Sequence, residues 1–151
     1  GTTRRSSDLT HNPLQAGEQF KGKSANGIYG DAVEEIDWST GQILDFLRAT
    51  NLAENTMVIF SSDNGAARPY GGINLPLSGW KGSTMEGGMR VPGIFWWPEK
   101  LNPHKVENAI ATTMDLLPTI ARIVDAPIPT DRVLDGNDIF DLMTGESVVS
   151  P

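Results

Sequence analysis

Thr56-Met57-Val58-Ile59-Phe60-Ser61-Ser62-Asp63-Asn64-Gly65 reads as a buried strand that empties into a polar site. A continuous run of β-branched and aromatic residues suits a strand covered on both faces, as in a parallel α/β sheet. Ligands of such sheets bind beyond the carboxyl ends of the strands, which is where Asp63 and Asn64 fall. A carboxylate beside an amide carbonyl offers two hard oxygens to a divalent cation, and Gly65 lets the backbone turn away. The same three residues also make an ordinary turn, because Asp and Asn tolerate left-handed angles and bond their own main chain. The neighbouring segments have to decide between the two.

Upstream, Tyr29 to Thr50 has the spacing of a helix, with Tyr29, Val33, Ile36, Thr40, Ile43 and Leu47 on one stripe. Its acidic residues crowd the first half, where the macrodipole favours them, and Gly41 suggests close packing or a kink. The cluster Glu34, Glu35, Asp37 reads as a solvated helix face. Before this helix, Gln15 to Gly27 is a loop, and Thr10-His11-Asn12-Pro13 puts a histidine in an irregular stretch. His11 is a candidate for chemistry, or simply a solvated loop residue.

Downstream lies a glycine-rich passage, Ala66 to Gly88, long enough to be functional. Its centre, Gly79-Trp80-Lys81-Gly82-Ser83-Thr84, sets one lysine between glycines, an arrangement that lets an ammonium approach an anion closely. Lys81 is equally readable as a surface lysine, and the spacing is not that of a Walker A loop. Glu86 and Arg90 form a structural pair four residues apart. Val91 to Pro98 is a second apolar strand whose tryptophans belong to a core or interface, with a carbohydrate platform open to one of them at most. Thr113 to Asp125 is a second helix, presenting Met114, Leu117, Ala121 and Val124 on one face and Pro118 in its first turn. Asp135 and Asp138 lie in a turn that lacks the alternating ligands of a calcium loop.

The totals set bounds on this reading. A chain of 151 residues with 38% hydrophobic and 21% charged residues is globular, and its formal net charge of −7 argues against a nucleic-acid partner. There is no cysteine, so neither disulfides nor thiol chemistry is available. No apolar run reaches the length of a membrane span, and the amino terminus lacks the apolar core of a signal peptide. Residues 1–9 read as a polar leader, 10–145 as the folded portion and 146–151 as a tail.

A Thr-His-x-Pro loop, a strand ending in Asp-Asn-Gly, and Gly-x-Lys-Gly-x-Thr-x-Glu-Gly-Gly-x-Arg follow one another in fixed order. With Tyr29 to Asp37, Met114-Asp-Leu-Leu-Pro-Thr119 and Leu134-Asp-Gly136, they resemble the type I sulfatases, the formylglycine-dependent sulfate ester hydrolases of the alkaline phosphatase superfamily, of the arylsulfatase kind. The resemblance runs from His11 to about Gly145. It implies an α/β chain with a partial alkaline-phosphatase-like fold, a mainly parallel sheet flanked by helices, lacking the amino-terminal half. It also implies that Asp63 and Asn64 are metal ligands, usually for calcium, that Lys81 contacts the sulfate, and that His11 stands near the sulfate and the leaving-group oxygen. The chemistry suits each type: a cation and a lysine stabilise charge on sulfuryl oxygens, and a histidine can protonate the departing oxygen.

The chain departs from the family: the Cys/Ser-x-Pro-x-Arg sequence that carries the formylglycine is absent, as are the amino-terminal aspartates of the metal site and the arginine, lysine and histidine around the nucleophile, and the strand that normally precedes the His11 loop is replaced by the polar residues 1–9. The expectation is therefore part of a sulfatase that is inactive alone, binds calcium weakly, and self-associates through exposed sheet edge and apolar surface. Its expected partner is a sulfate ester, with neither nucleic acid nor membrane. The resemblance suggests a secreted, periplasmic or lysosomal setting. A related phosphoesterase and a non-catalytic binding module are the alternatives.

Overall fold

In a computed structural model that describes residues 10, 11 and 13–151, the first regular element is helix α1, Gly27–Ala49. The expected leader, residues 1–9, lies outside the described residues. No side chain caps α1 from Asn26. Instead Asp31, only 2% exposed, turns back to accept the backbone N–H groups of Gly22 (2.8 Å), Lys23 (3.1 Å) and Ser24 (2.8 Å). Those bonds, led by Ser24 and Gly22, outweigh burial and hold the Asp31 carboxyl below its ordinary pKa. Glu35 likewise accepts from the Gly17 N–H at 2.7 Å. Two of the acidic residues in the first half of α1 thus tie down the preceding loop.

The far end of α1 closes with a Schellman motif. Asn51 takes a left-handed φ of 58°, its N–H reaches Arg48 O, and the Leu52 N–H reaches Leu47 O at 2.9 Å. Asparagine tolerates this conformation at a position where most side chains would be strained. Gly41 serves no close contact, since a Cβ there would meet nothing within 4 Å. On the expected stripe Tyr29, Ile36, Thr40 and Leu47 are half-buried, whereas Val33 and Ile43 stay exposed.

Strand β1, Val58–Ser61, pairs antiparallel with β2, Gly93–Trp96, in the register Val58–Trp96 to Ser61–Gly93. The mainly parallel sheet expected from the sequence is not formed within the described residues, which build only this two-stranded antiparallel ladder. Nor is the run buried as expected, since Val58 and Ile59 are half-buried and Phe60 and Ser61 exposed, and an apolar run says nothing of strand direction. Direction is set by the return path, and here the chain comes back through loops and the four-residue helix α2, Glu86–Met89. Phe60 and Ile94, directly opposite each other, are both exposed.

Chain contacts divide the molecule into two units, Gly1–Trp96 and Trp97–Pro151. The second buries Ala121, Ile139 and Leu142 beside two polar side chains, Asp115 and Thr119. A 3-10 turn at Thr113–Asp115 runs into helix α3, Leu116–Ile123, and helix α4 follows at Phe140–Thr144. Asp115 closes a capping box with Thr112 (N–H at 2.6 Å, hydroxyl at 3.1 Å) and also accepts the Asn137 N–H at 2.8 Å. Thr119, 1% exposed, donates its hydroxyl to the Asp115 carbonyl at 2.6 Å and accepts the Ile139 N–H at 3.0 Å. Gly136 allows this approach, because a Cβ there would stand 2.0 Å from the Met114 carbonyl oxygen. Arg122 then bridges Asp138 (2.8 Å) and Asp141 (2.6 Å) with its guanidinium over Phe140.

The face expected on the second helix is therefore corrected. Ala121 is buried, but Met114, Leu117 and Val124 are exposed, and the inward side is set by Asp115, Pro118 and Thr119. Like α1, the helix ends on a left-handed acidic or amide residue, here Asp125, with the Ala126 N–H on Ala121 O at 2.8 Å.

Burial pushes the Asp115 carboxyl up, but the hydrogen bonds from Asn137 and Thr112 outweigh it, and its pKa lies below the ordinary 3.8. A folded pKa below the unfolded one stabilises the fold above pH of about 4 and loses that contribution as pH falls through the folded value. Asp115→Asn is expected to cost about 2 kcal/mol in urea unfolding near neutral pH, the range for hydrogen bonds to a charged group. The gap between variant and parent should narrow below pH of about 4, and a gap independent of pH would show that the ionised carboxylate is not the stabilising form.

Candidate functional site

The sequence expectations converge on the carboxyl end of β1. Ser62, Asp63 and Asn64 follow the last strand residue, and the Ser62 hydroxyl donates to the Asn64 carbonyl at 2.9 Å, fixing the turn. Gly65 then passes so close to α2 that its N–H bonds the Gly88 carbonyl at 3.0 Å. A Cβ on Gly65 would stand 1.8 Å from the Gly87 carbonyl oxygen, so this position requires a residue without one.

One residue later the chain is gripped from two sides. The Ala66 N–H donates to Asn74 Oδ1 at 2.8 Å, and the Ala66 carbonyl accepts both Asn74 Nδ2 at 3.1 Å and the Lys81 N–H at 3.1 Å. Asn74 Nδ2 also reaches the Gly79 carbonyl at 3.0 Å. A single amide side chain thereby holds three points of the loop. Gly79 and Gly82 flank Lys81 with left-handed φ angles of 94° and 88°, and Gly79 has no room for a Cβ against Ser83 and Met85. The Gly87 N–H closes the frame on the Ser78 carbonyl at 2.7 Å.

Lys81 is thus brought to the segment that carries Asp63 and Asn64, through a main-chain bond two residues beyond Asn64. Its side chain is exposed and pairs with no carboxylate among the described residues. Asp63 is exposed and Asn64 half-buried. His11 is exposed in a bend, and its neighbour Asn12 lies outside the described residues. The expected pair Glu86–Arg90 is present at 3.5 Å between two exposed side chains, where such a pair contributes little. Asn74 is a positioning residue that sequence reasoning missed. A lone asparagine in a glycine-rich passage looks like any turn residue, and only the fold shows its amide spanning eight positions.

Asp63 and Asn64 suit a hard cation by donor type, offering a carboxylate and an amide oxygen. Two residues fill only part of a calcium shell of about six to eight oxygens. Among the described residues no cluster of three or more His, Asp or Glu forms that could hold a metal. These residues fit calcium as contributors to a larger ligand set.

The family model for Sulfatase matches residues 6–126. The chain is 42% identical over 145 residues to the steryl-sulfatase of Homo sapiens, covering 91% of this chain and 25% of that protein. It is 44% identical over 142 residues to the N-acetylgalactosamine-6-sulfatase of Canis lupus familiaris, covering 91% of this chain and 27% of that protein. The chain thus spans about a quarter of the length of these curated relatives. The solved PsFucS1 sulfatase from Pseudoalteromonas sp. superposes with a TM-score of 0.83 at 32% identity, covering 89% of this chain and 28% of that one. The expected partial α/β fold of the alkaline-phosphatase type is that of these sulfatase structures. The ordered segments, the shared fold and a family match over most of its length lead to one conclusion: the chain belongs to the sulfatase family.

Proposed function

We propose that this chain is part of a sulfate ester hydrolase and supplies the lysine, the histidine and two metal-binding oxygens of its active site. The main-chain bond from Lys81 to Ala66 supports this reading, because it joins the segment that carries Lys81 to the one that follows the Asp63–Asn64 turn. In this reading Lys81 binds the sulfuryl oxygens and stabilises the charge they gain as the ester bond breaks. His11 holds a proton for the departing alkoxide or phenoxide. Asp63 and Asn64 contribute oxygens to a calcium ion that, when bound, supplies Lewis-acid stabilisation of the sulfuryl group. The formylglycine nucleophile is expected from residues beyond these 151, since the chain contains no cysteine and no Ser-x-Pro-x-Arg sequence.

Three measurements check this reading. In the full-length protein Lys81→Ala is expected to lower kcat/KM for an aryl sulfate by about 10²- to 10³-fold, the scale of losing one charge-stabilising donor. The 151-residue chain alone should show no turnover, and turnover that Lys81→Ala abolishes would overturn the idea that the nucleophile lies elsewhere.

Calorimetry on the isolated chain should detect only weak calcium binding, as two ligating residues leave most of the shell to water. Tight, stoichiometric binding would mean that the ligand set is complete without further residues.

The isolated chain is also proposed to self-associate, because Ile43 and Phe46 on α1 and Phe60 and Ile94 on the sheet are exposed apolar surface. Light scattering should report species larger than a monomer, and a strictly monomeric solution would refute this.

A further inference from the structure

Arg68 is the second cation at the loop crossing, and nothing in the reaction described above uses it. Among the described residues every lysine and arginine forms an ion pair with a carboxylate except Lys23, Arg68 and Lys81. In a chain of net charge −7, where carboxylates are plentiful, two unpaired cations on adjoining segments of one loop stand out. Arg68 opens a 3-10 turn, Arg68–Tyr70, two residues past Ala66, whose carbonyl accepts the Lys81 N–H.

The turn is anchored at both ends. On one side Asn74 grips Ala66 through both its N–H and its carbonyl. On the other, Gly71 has a left-handed φ of 92° and Gly72 is buried, and both lie against Tyr29 of α1 so closely that a Cβ on Gly72 would stand 2.5 Å from Ala66 Cβ and 3.1 Å from the Tyr29 hydroxyl. The guanidinium rests 5.9 Å from the centre of the Trp80 ring, the residue before Lys81. Stacking on an aromatic face orients a guanidinium while leaving its N–H fork open to a planar or tetrahedral anion. The backbone at Trp80 is itself held, its main-chain N–H donating to Ser83 Oγ at 3.1 Å.

The geometry points to Arg68 as a specificity residue that binds a second anionic group of the substrate, a sulfate or carboxylate separate from the ester being cleaved. The substrate class is a sulfate ester that carries a second anionic group, for which doubly anionic sugars serve as probes. The inference rests on the sulfate-ester reading of Lys81, and its test is chosen so that the two fail separately. A bidentate bond from guanidinium to a sulfate or carboxylate suits Arg68, whereas Lys81 acts as a point charge on the ester that reacts.

The test uses the full-length protein and three disaccharides that differ only in their second group: one with a single sulfate ester, one with an added sulfate and one with an added carboxylate. Calorimetry should show Arg68→Gln weakening binding of one or both doubly anionic sugars by about tenfold or more while changing the singly sulfated one less than twofold. The doubly anionic sugar that responds identifies the group Arg68 reads. Steady-state rates should place the effect in KM with kcat nearly unchanged, and Arg68→Lys, which keeps the charge, should retain part of the selectivity. Equal losses on all three sugars would overturn the proposal by making Arg68 a structural brace of Trp80, as would no loss on any. Discrimination that persists in binding while no sulfate ester is hydrolysed supports the Arg68 assignment and counts against the hydrolase reading alone.

Discussion

The amide of Asn74 is the interaction on which the site depends. The passage from Ala66 to Gly82 contains a single 3-10 turn and no strand, so its backbone groups have no ladder to satisfy them. Left to itself such a passage would sample many arrangements, each residue retaining about 1–2 kcal/mol of backbone conformational entropy. Asn74 offers one acceptor and two donors in a fixed plane, and it spends them on Ala66 and Gly79, the positions that bracket the approach of Lys81. The glycines make this possible by subtraction: Gly65, Gly79 and Gly87 each stand where a Cβ would strike a carbonyl oxygen or side chain. Close backbone contact and one bridging amide together give a loop the definition that a regular element would have.

The second unit solves a similar problem with a carboxylate. Asp115 and Thr119 are buried polar side chains whose partners come from Thr112, Asn137 and Ile139, so the core of this unit joins a network of hydrogen bonds to the buried apolar side chains of Ala121, Ile139 and Leu142. A network of this kind specifies one arrangement, because a shift of one residue leaves buried groups unpaired. It also explains why Met114-Asp-Leu-Leu-Pro-Thr119 and Leu134-Asp-Gly136 carry family resemblance although neither belongs to the site. Asp115 accepts from the residue after Gly136, and Gly136 lies on the carbonyl of Met114.

Much of this was legible in the sequence, and the legible part follows a rule. The helix predicted over Tyr29 to Thr50 and the strand before Asp63 were marked by apolar spacing, and both exist within a few residues of the expected bounds. The order of Asp63, Asn64 and Lys81 pointed to segments that the fold does bring together. Strand direction, the inward side of α3 and the roles of Asp31, Asn74 and Asp115 were not legible. Each depends on where a polar side chain finds its partner, and hydrophobic periodicity carries no information about that. The exposure of Met114, Leu117 and Val124 has the same origin, since their spacing marks a face suited to burial and the described residues supply no cover for it.

The ring closed by Asn74 onto Ala66 has a further consequence for how this site can be altered. Residues 67–73 form a small loop whose two ends are hydrogen-bonded to each other, and it reaches the rest of the molecule through Gly71 and Gly72 against Tyr29 and through Arg68 over Trp80. Lengthening it between those contacts adds only a slowly growing entropic term. A change beside Ile73, which is 73% exposed, therefore disturbs the loop least, whereas a change at Arg68, Gly71 or Gly72 breaks a contact that reaches Trp80 or Tyr29.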